Sequence, residues 1–126
     1  MFVVSSSTTV LSHDFDGISY HIRTTSFDVQ FIIGSGENPE RVENVDVEVR
    51  LPDGSRWSAT MLTIAEVDRL MARWSETGEY GGGSYFWCSD GLIVREPGVS
   101  AMTAVLVGLH DDENALTDVL HRLGEE

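Results

Sequence analysis

The sequence has no lysine, one cysteine and three prolines, and each scarcity removes possibilities. Without lysine, all eight cationic side chains are arginine, set against 21 carboxylates, for a formal net charge of −13 over 126 residues. A surface this acidic repels nucleic-acid phosphates and anionic lipid headgroups, and it accelerates encounter with basic proteins. The expected partner is therefore a basic protein, with neither nucleic acid nor a membrane as a target. One cysteine excludes an intramolecular disulfide and a cysteine-built metal cage. Cys88 sits in the apolar run Tyr85-Phe86-Trp87-Cys88 with no arginine nearby to lower its pKa, so a buried, inert thiol is expected. Long hydrophobic runs are missing too, since no window approaches the ~18 apolar residues of a membrane span. The stretch Met1-Phe2-Val3-Val4-Ser5-Ser6-Ser7 lacks the basic region and the length of a secretory signal. These absences predict a soluble cytoplasmic protein.

What is present is a chain with 41% apolar residues arranged in periodic blocks. That patterning argues against disorder despite the charge. The length predicts a single domain over residues 1–126, large enough to bury a core without staples. Residues 1–14 are Ser- and Thr-rich with weak alternation, as in an edge strand or a loose arm. Ile18, Tyr20 and Ile22 then alternate with polar residues, as do Phe27, Val29, Phe31 and Ile33. Thr24-Thr25-Ser26 can turn between the two runs, which predicts a hairpin with one buried face. Val45, Val47, Val49 and Leu51 form the cleanest strand. Pro52-Asp53-Gly54 supplies the fixed negative φ and the positive φ of a tight turn into a partner strand over 55–62.

The spacing predicts a helix over 63–77. Thr63 and Glu66 have the spacing of a capping box, and Val67, Leu70, Met71 and Trp74 make one apolar stripe. Gly78 ends the helix. After the loop Gly81-Gly82-Gly83, short strands are expected at Tyr85–Cys88 and Leu92–Arg95, joined through Ser89-Asp90-Gly91 as a hairpin. Met102, Val105, Leu106 and Leu109 indicate a helix capped by Ser100, although Val105-Leu106-Val107 also reads as a strand. Leu116, Val119, Leu120 and Leu123 mark a last short helix stopped by Gly124. The expected class is α+β: an antiparallel sheet of about six strands in hairpins, with two or three helices packed on one face.

Residue types that could carry chemistry lack the spacing for it. His13-Asp14-Phe15-Asp16 and His110-Asp111-Asp112-Glu113 could touch a divalent ion, but neither run fixes a ligand geometry, and both read as solvated turns. No Gly-x-Ser-x-Gly elbow is present. Gly78–Ser84 fails as a phosphate loop, because it has no Lys and leads toward a strand, and Glu79 would repel the phosphate. No catalysis, cofactor or metal is expected. Tyr85 and Trp87 fall on one side of their segment and Phe86 on the other. One of those sides is a candidate exposed anchor of the kind that dominates binding interfaces.

The run Leu51-Pro52-Asp53-Gly54-Ser55-Arg56-Trp57, the segment Met71-Ala72-Arg73-Trp74-Ser75-Glu76-Thr77-Gly78 and the stretch Gly83-Ser84-Tyr85-Phe86-Trp87-Cys88-Ser89-Asp90 carry a resemblance. Over roughly residues 45–95 the chain resembles small acidic bacterial immunity-type proteins, the antidotes of polymorphic and contact-dependent growth-inhibition toxins. The resemblance implies binding and blocking of a cognate toxin, and it carries over no catalytic residue. Charge gives a separate argument: nuclease toxins hold phosphate backbones in basic grooves, which an acidic inhibitor can occupy. The candidate partner-binding residues are Glu40, Glu43, Asp46 and Glu48 in one acidic stretch and Asp111, Asp112 and Glu113 in another. Tyr80, Tyr85 and Trp87 of the aromatic hairpin complete the set. The rival readings are a small enzyme or ligand-binding domain using Tyr80, Tyr85 and Glu76 or Asp90, and an adaptor that forms a homodimer through the aromatic face.

Overall fold

Alternation along the first half of the chain builds a meander. The computed structural model describes residues 8–124. Strands β1 (Val10–Phe15), β2 (Ser19–Thr24), β3 (Asp28–Ile32), β4 (Asn44–Arg50) and β5 (Arg56–Thr63) pair antiparallel in chain order. β1 is the edge strand expected within residues 1–14, and residues 1–7 lie outside the described residues. The turns use the chemistry the sequence offers. Thr24 Oγ1 accepts from the backbone N–H groups of Ser26 and Phe27, closing the β2–β3 turn. Asp53 accepts from both the backbone N–H and the hydroxyl of Ser55, and Gly54 takes φ 88°. Those bonds to Ser55 favour the ionised form and hold the Asp53 carboxyl below its usual range.

One sheet face carries the core. The cross-strand rows Ile22–Val29–Val49 and Phe31–Val47–Ala59 are buried, and Met61 is fully enclosed. Each of these side chains except Ala59 contributes ~1.5–3 kcal/mol of burial. Ile18, expected on this face, is instead 60% exposed, because it lies in the β1–β2 turn beside Asp16, whose carboxylate accepts from its N–H. Helix α3 (Val99–Asp111) closes the core with Val99, Met102 and Leu106, and the short α4 (Leu116–Val119) adds Leu116. The strand alternative for Val105-Leu106-Val107 is thereby excluded. Gly98, at φ 96°, is the N-cap of α3, and the Ser100 hydroxyl goes to Glu40 instead of capping the helix.

Helix α1 (Ile64–Thr77) starts and stops where the sequence indicates. Thr63 Oγ1 accepts from the Glu66 N–H at 3.0 Å, and Gly78 takes the left-handed conformation at φ 88°. The reciprocal half of the capping box is absent, because the Thr63 N–H donates to the Glu43 carbonyl and the Glu66 carboxylate accepts from Arg69. Thr63 thus ends β5 and caps α1 at once. Replacing it with alanine should cost about 1–2 kcal/mol, and serine should recover most of the loss; urea midpoints of the two variants are the measurement.

Two elements differ from expectation. No strand forms at Tyr85–Cys88, so the predicted hairpin does not exist. β6 (Gly91–Val94) pairs parallel with β5 through Thr60–Thr63. The terminal segment is helical only as far as Val119. Leu120 is extended, and His121–Leu123 form β7, antiparallel to β5 at Arg56–Ser58. β5 therefore shares one edge between a parallel and an antiparallel neighbour. The class is α+β, with a mostly antiparallel seven-stranded sheet. α3 and α4 feed the main core. Of α1, only Trp74 is buried, and it packs separately on aromatic neighbours. Among the described residues, no helix is long and apolar enough to cross a membrane.

Candidate functional site

The fold disperses the first acidic stretch. Glu40 lies in a 3₁₀ turn (Pro39–Arg41) and accepts from the Ser100 hydroxyl at 2.8 Å. Glu43 precedes β4 and is held by Arg69 Nη2 and by the Thr63 hydroxyl, each at 2.8 Å. These partners, the Arg69 guanidinium foremost, pull its carboxyl below the ordinary glutamate value. Asp46 and Glu48 project from the opposite face of β4 to its buried valines. Asp46 accepts from Thr60 Oγ1 at 3.0 Å, and Glu48 pairs with Arg56 at 3.3 Å. The stretch is therefore not one patch, and arginine offsets the charge of Glu43 and Glu48. Asp46 shares the Thr60 hydroxyl with Asp90, which lies 3.1 Å away on the other side.

The second acidic stretch stays together. Asp111 ends α3 and accepts from Thr8 Oγ1 at 2.8 Å, with His110 Nδ1 at 3.2 Å. Asp112 is the C-cap, and Glu113 comes next at φ 53°. A helix C-terminus carries partial negative charge and favours cations, so Asp112 and Glu113 there cost stability, typically a few tenths of a kcal/mol each, whereas Asp111 is held by Thr8 and His110. α1 repeats the pattern. Its last turn has no basic residue, Glu76 lies within it, and Glu79 lies just past the cap. Both long helices thus end in a concentrated negative potential. Glu79, absent from the partner-binding residues expected from the sequence, could have been found by asking which acids fall at predicted helix C-termini.

Next to the end of α1 lies an aromatic platform. Gly78 reverses the chain, and Tyr80, itself at φ 50°, opens the short helical turn α2 (Tyr80–Gly83). The Tyr80 ring stands 4.3 Å from Trp74 and meets Tyr85 edge-on at 6.3 Å between centroids. Phe86 stacks on the other part of this cluster, 5.8 Å from Trp74. Phe86 therefore turns inward, while Tyr85 and Trp87 are 51% and 69% exposed. The expected division of these aromatics into two sides holds although the strand does not. Fold and rim together place Tyr80, Tyr85, Glu76 and Glu79 around one end of α1, and Trp87 follows Phe86 out into solvent.

No family model, curated protein or solved structure matches this chain.

The other sequence candidates resolve into structural roles. His13 and Asp14 point to opposite sides of β1, so they cannot share an ion; His13 Nδ1 lies 3.2 Å from Tyr20 OH. Asp16 accepts from the N–H groups of Ile18 and Ser19, which lower its pKa. His110 packs against Phe27 with ring centroids 5.6 Å apart. Among the described residues, no three His, Cys, Asp or Glu side chains converge in a metal-binding group. Cys88 is half-buried, not fully enclosed as expected, with its Sγ 3.5 Å from Asp90 Oδ1. Asp90 thus turns toward Thr60 and Cys88.

Proposed function

We propose that the protein binds and blocks a basic protein, as an immunity protein blocks its cognate toxin, with a nuclease the partner that best suits an acidic inhibitor. The observation that carries this reading is the placement of carboxylates at the C-terminal ends of α1 and α3, where the helix dipoles add to their field at a cost in stability. Charge placed against stability is understandable if a cationic surface is to dock on it. At α1 the same field rims exposed Tyr80 and Tyr85, with exposed Trp87 two residues further along the chain, and aromatic centres with polar rims are the common anatomy of binding hot spots. A basic groove built to hold phosphates would meet carboxylates in their place.

The test is the kinetics of association with a basic partner captured from the native host. Long-range attraction sets the encounter rate and is screened by salt, whereas buried contacts set dissociation. Raising ionic strength from about 0.05 to 0.5 M should slow association by roughly tenfold or more and change dissociation little. Reversing Asp111, Asp112 and Glu113 to arginine, or Glu76 and Glu79 together, should slow association similarly at the face that docks. Reversing Glu43 or Glu48 is less informative, because each already holds an arginine. A partner whose association ignores both salt and all five reversals would reduce the charge to a solubility device and overturn the reading.

A further inference from the structure

We infer that the groove between the β1–β2 edge and α3 seats an arginine side chain of the basic protein partner. The inference rests on the reading that the partner is basic, and it names a site outside the aromatic platform. α3 stands beside β1 and β2. All six residues of β1 are exposed, although the strand continues the inner face. Between them runs a groove of about 440 Å³. Val10, Ile22, Ala104 and Val107 give it apolar walls, matched to the three methylenes of an arginine stem.

Its polar groups suit the head of that side chain. Among the described residues, Glu40 is the one carboxylate on the lining and His13 the one basic side chain, and the imidazole lies against the Tyr20 hydroxyl instead of Glu40. Its bond from Ser100 leaves carboxylate lone pairs free to accept more. Thr103 is 4% exposed, and its hydroxyl, enclosed just behind the lining, has no hydrogen-bond partner among the described residues. Buried hydroxyls are nearly always paired, so an orphan against the groove's lining points to a missing partner. Tyr20 contributes its ring and its phenol, whose pKa is raised by burial and by the Glu40 charge, so it adds no second anion. A guanidinium has five donors in a fixed fork and is weakly hydrated, so it can serve a carboxylate and a hydroxyl from a partly apolar groove at less cost than an ammonium. It can also lie over an aromatic ring.

The experiment titrates the full chain with the capped pentapeptide Gly-Ser-Arg-Ser-Gly, followed by amide NMR. The same peptide with neutral citrulline in place of arginine is the control. The arginine peptide should shift the resonances of Ile22, Thr103, Ala104 and Val107 at millimolar concentration, and the citrulline peptide should bind at least tenfold more weakly. Glu40→Gln should weaken binding about tenfold. Thr103→Val, close to isosteric, should weaken it while the fold and melting temperature are maintained. Ala104→Trp fills the groove and should abolish binding, with circular dichroism confirming the fold.

Shifts centred on Glu76, Glu79 or Asp111–Glu113, equal affinity for the citrulline peptide, or binding that ignores Glu40→Gln and Ala104→Trp would each overturn the inference. So would tighter binding of free agmatine than of the peptide, which marks a site for a small cation. Magnetisation transfer from Phe2 or Val3 to Ala104 without peptide would place the chain's own first residues there, with the same effect. A partner whose association depends on salt but ignores Ala104→Trp would remove the groove and leave the basic-partner reading intact. The reverse result would remove only that reading.

Discussion

Alanine at Gly83 should destabilise the protein by roughly 3–5 kcal/mol, with Gly82→Ala costing only about 1–2 kcal/mol. The two glycines are neighbours in α2, and both have positive φ, 71° at Gly82 and 80° at Gly83. A β-carbon at Gly82 meets nothing within 4 Å, so its penalty is the left-handed backbone alone. A β-carbon at Gly83 would collide with the carbonyl oxygen of Met71 and crowd the backbone nitrogen of Ser75. Those atoms belong to α1 and cannot swing aside as a side chain could. The absence of a side chain at Gly83 lets the chain lie directly on the helix and sets where Tyr85 and Phe86 emerge. Urea denaturation of the two variants measures the difference. Equal losses would mean that α2 does not pack on α1 in this way.

Trp74→Ala should cost about 3–5 kcal/mol, the range for deleting a buried aromatic and leaving a cavity. Trp74 is the one buried residue of α1, 9% exposed, and stands between the rings of Tyr80 and Phe86. The loss has a second consequence. Tyr80 and Tyr85 present their rings in fixed positions because Trp74 backs the first and the first abuts the second. A Trp74→Phe variant retains much of the packing and should lose less stability, so it separates the platform's rigidity from global unfolding. A loss below about 1 kcal/mol for alanine would show that the aromatic cluster is a surface arrangement and not a small second core.

The parts of the fold legible in the sequence are those where one local rule suffices. β2 to β4 bury a single face, so their side chains alternate, whereas β5 is buried on both faces from Met61 to Thr63; Thr24, Asp53, Gly54 and Thr63 each perform locally the role their chemistry favours. Tyr85–Cys88 deceived because aromatic residues favour strands, while here tertiary packing on Trp74 overrides that preference and keeps the segment irregular. Asp90-Gly91 does turn the chain, but the strand beginning there runs parallel to β5, a pairing decided by residues distant in sequence. Leu116, Val119, Leu120 and Leu123 fit a helical period, yet a three-residue strand is too short to display a period of its own. The candidate site divides similarly. The charge and the exposed aromatic side are readable residue by residue. Whether a carboxylate is offset is not, because Glu43 meets Arg69 only once β4 and α1 are in place.

The divided edge of β5 bears on how the chain assembles as it is made. Five strands succeed one another as neighbours, so the meander can pair while later residues are still being synthesised. β6 then covers Thr60–Thr63, but Arg56–Ser58 waits for β7, the strand translated last of the seven. Until His121–Leu123 arrive, that part of β5 is an open row of backbone donors and acceptors beside Trp57, a template on which another copy can pair. Arg122, whose guanidinium comes to rest 5.5 Å from the centre of the Trp57 ring, then closes the row and covers the indole in one step. β7 is thus what closes this stretch of β5, and without His121–Leu123 the same row of backbone groups stands open to a second copy.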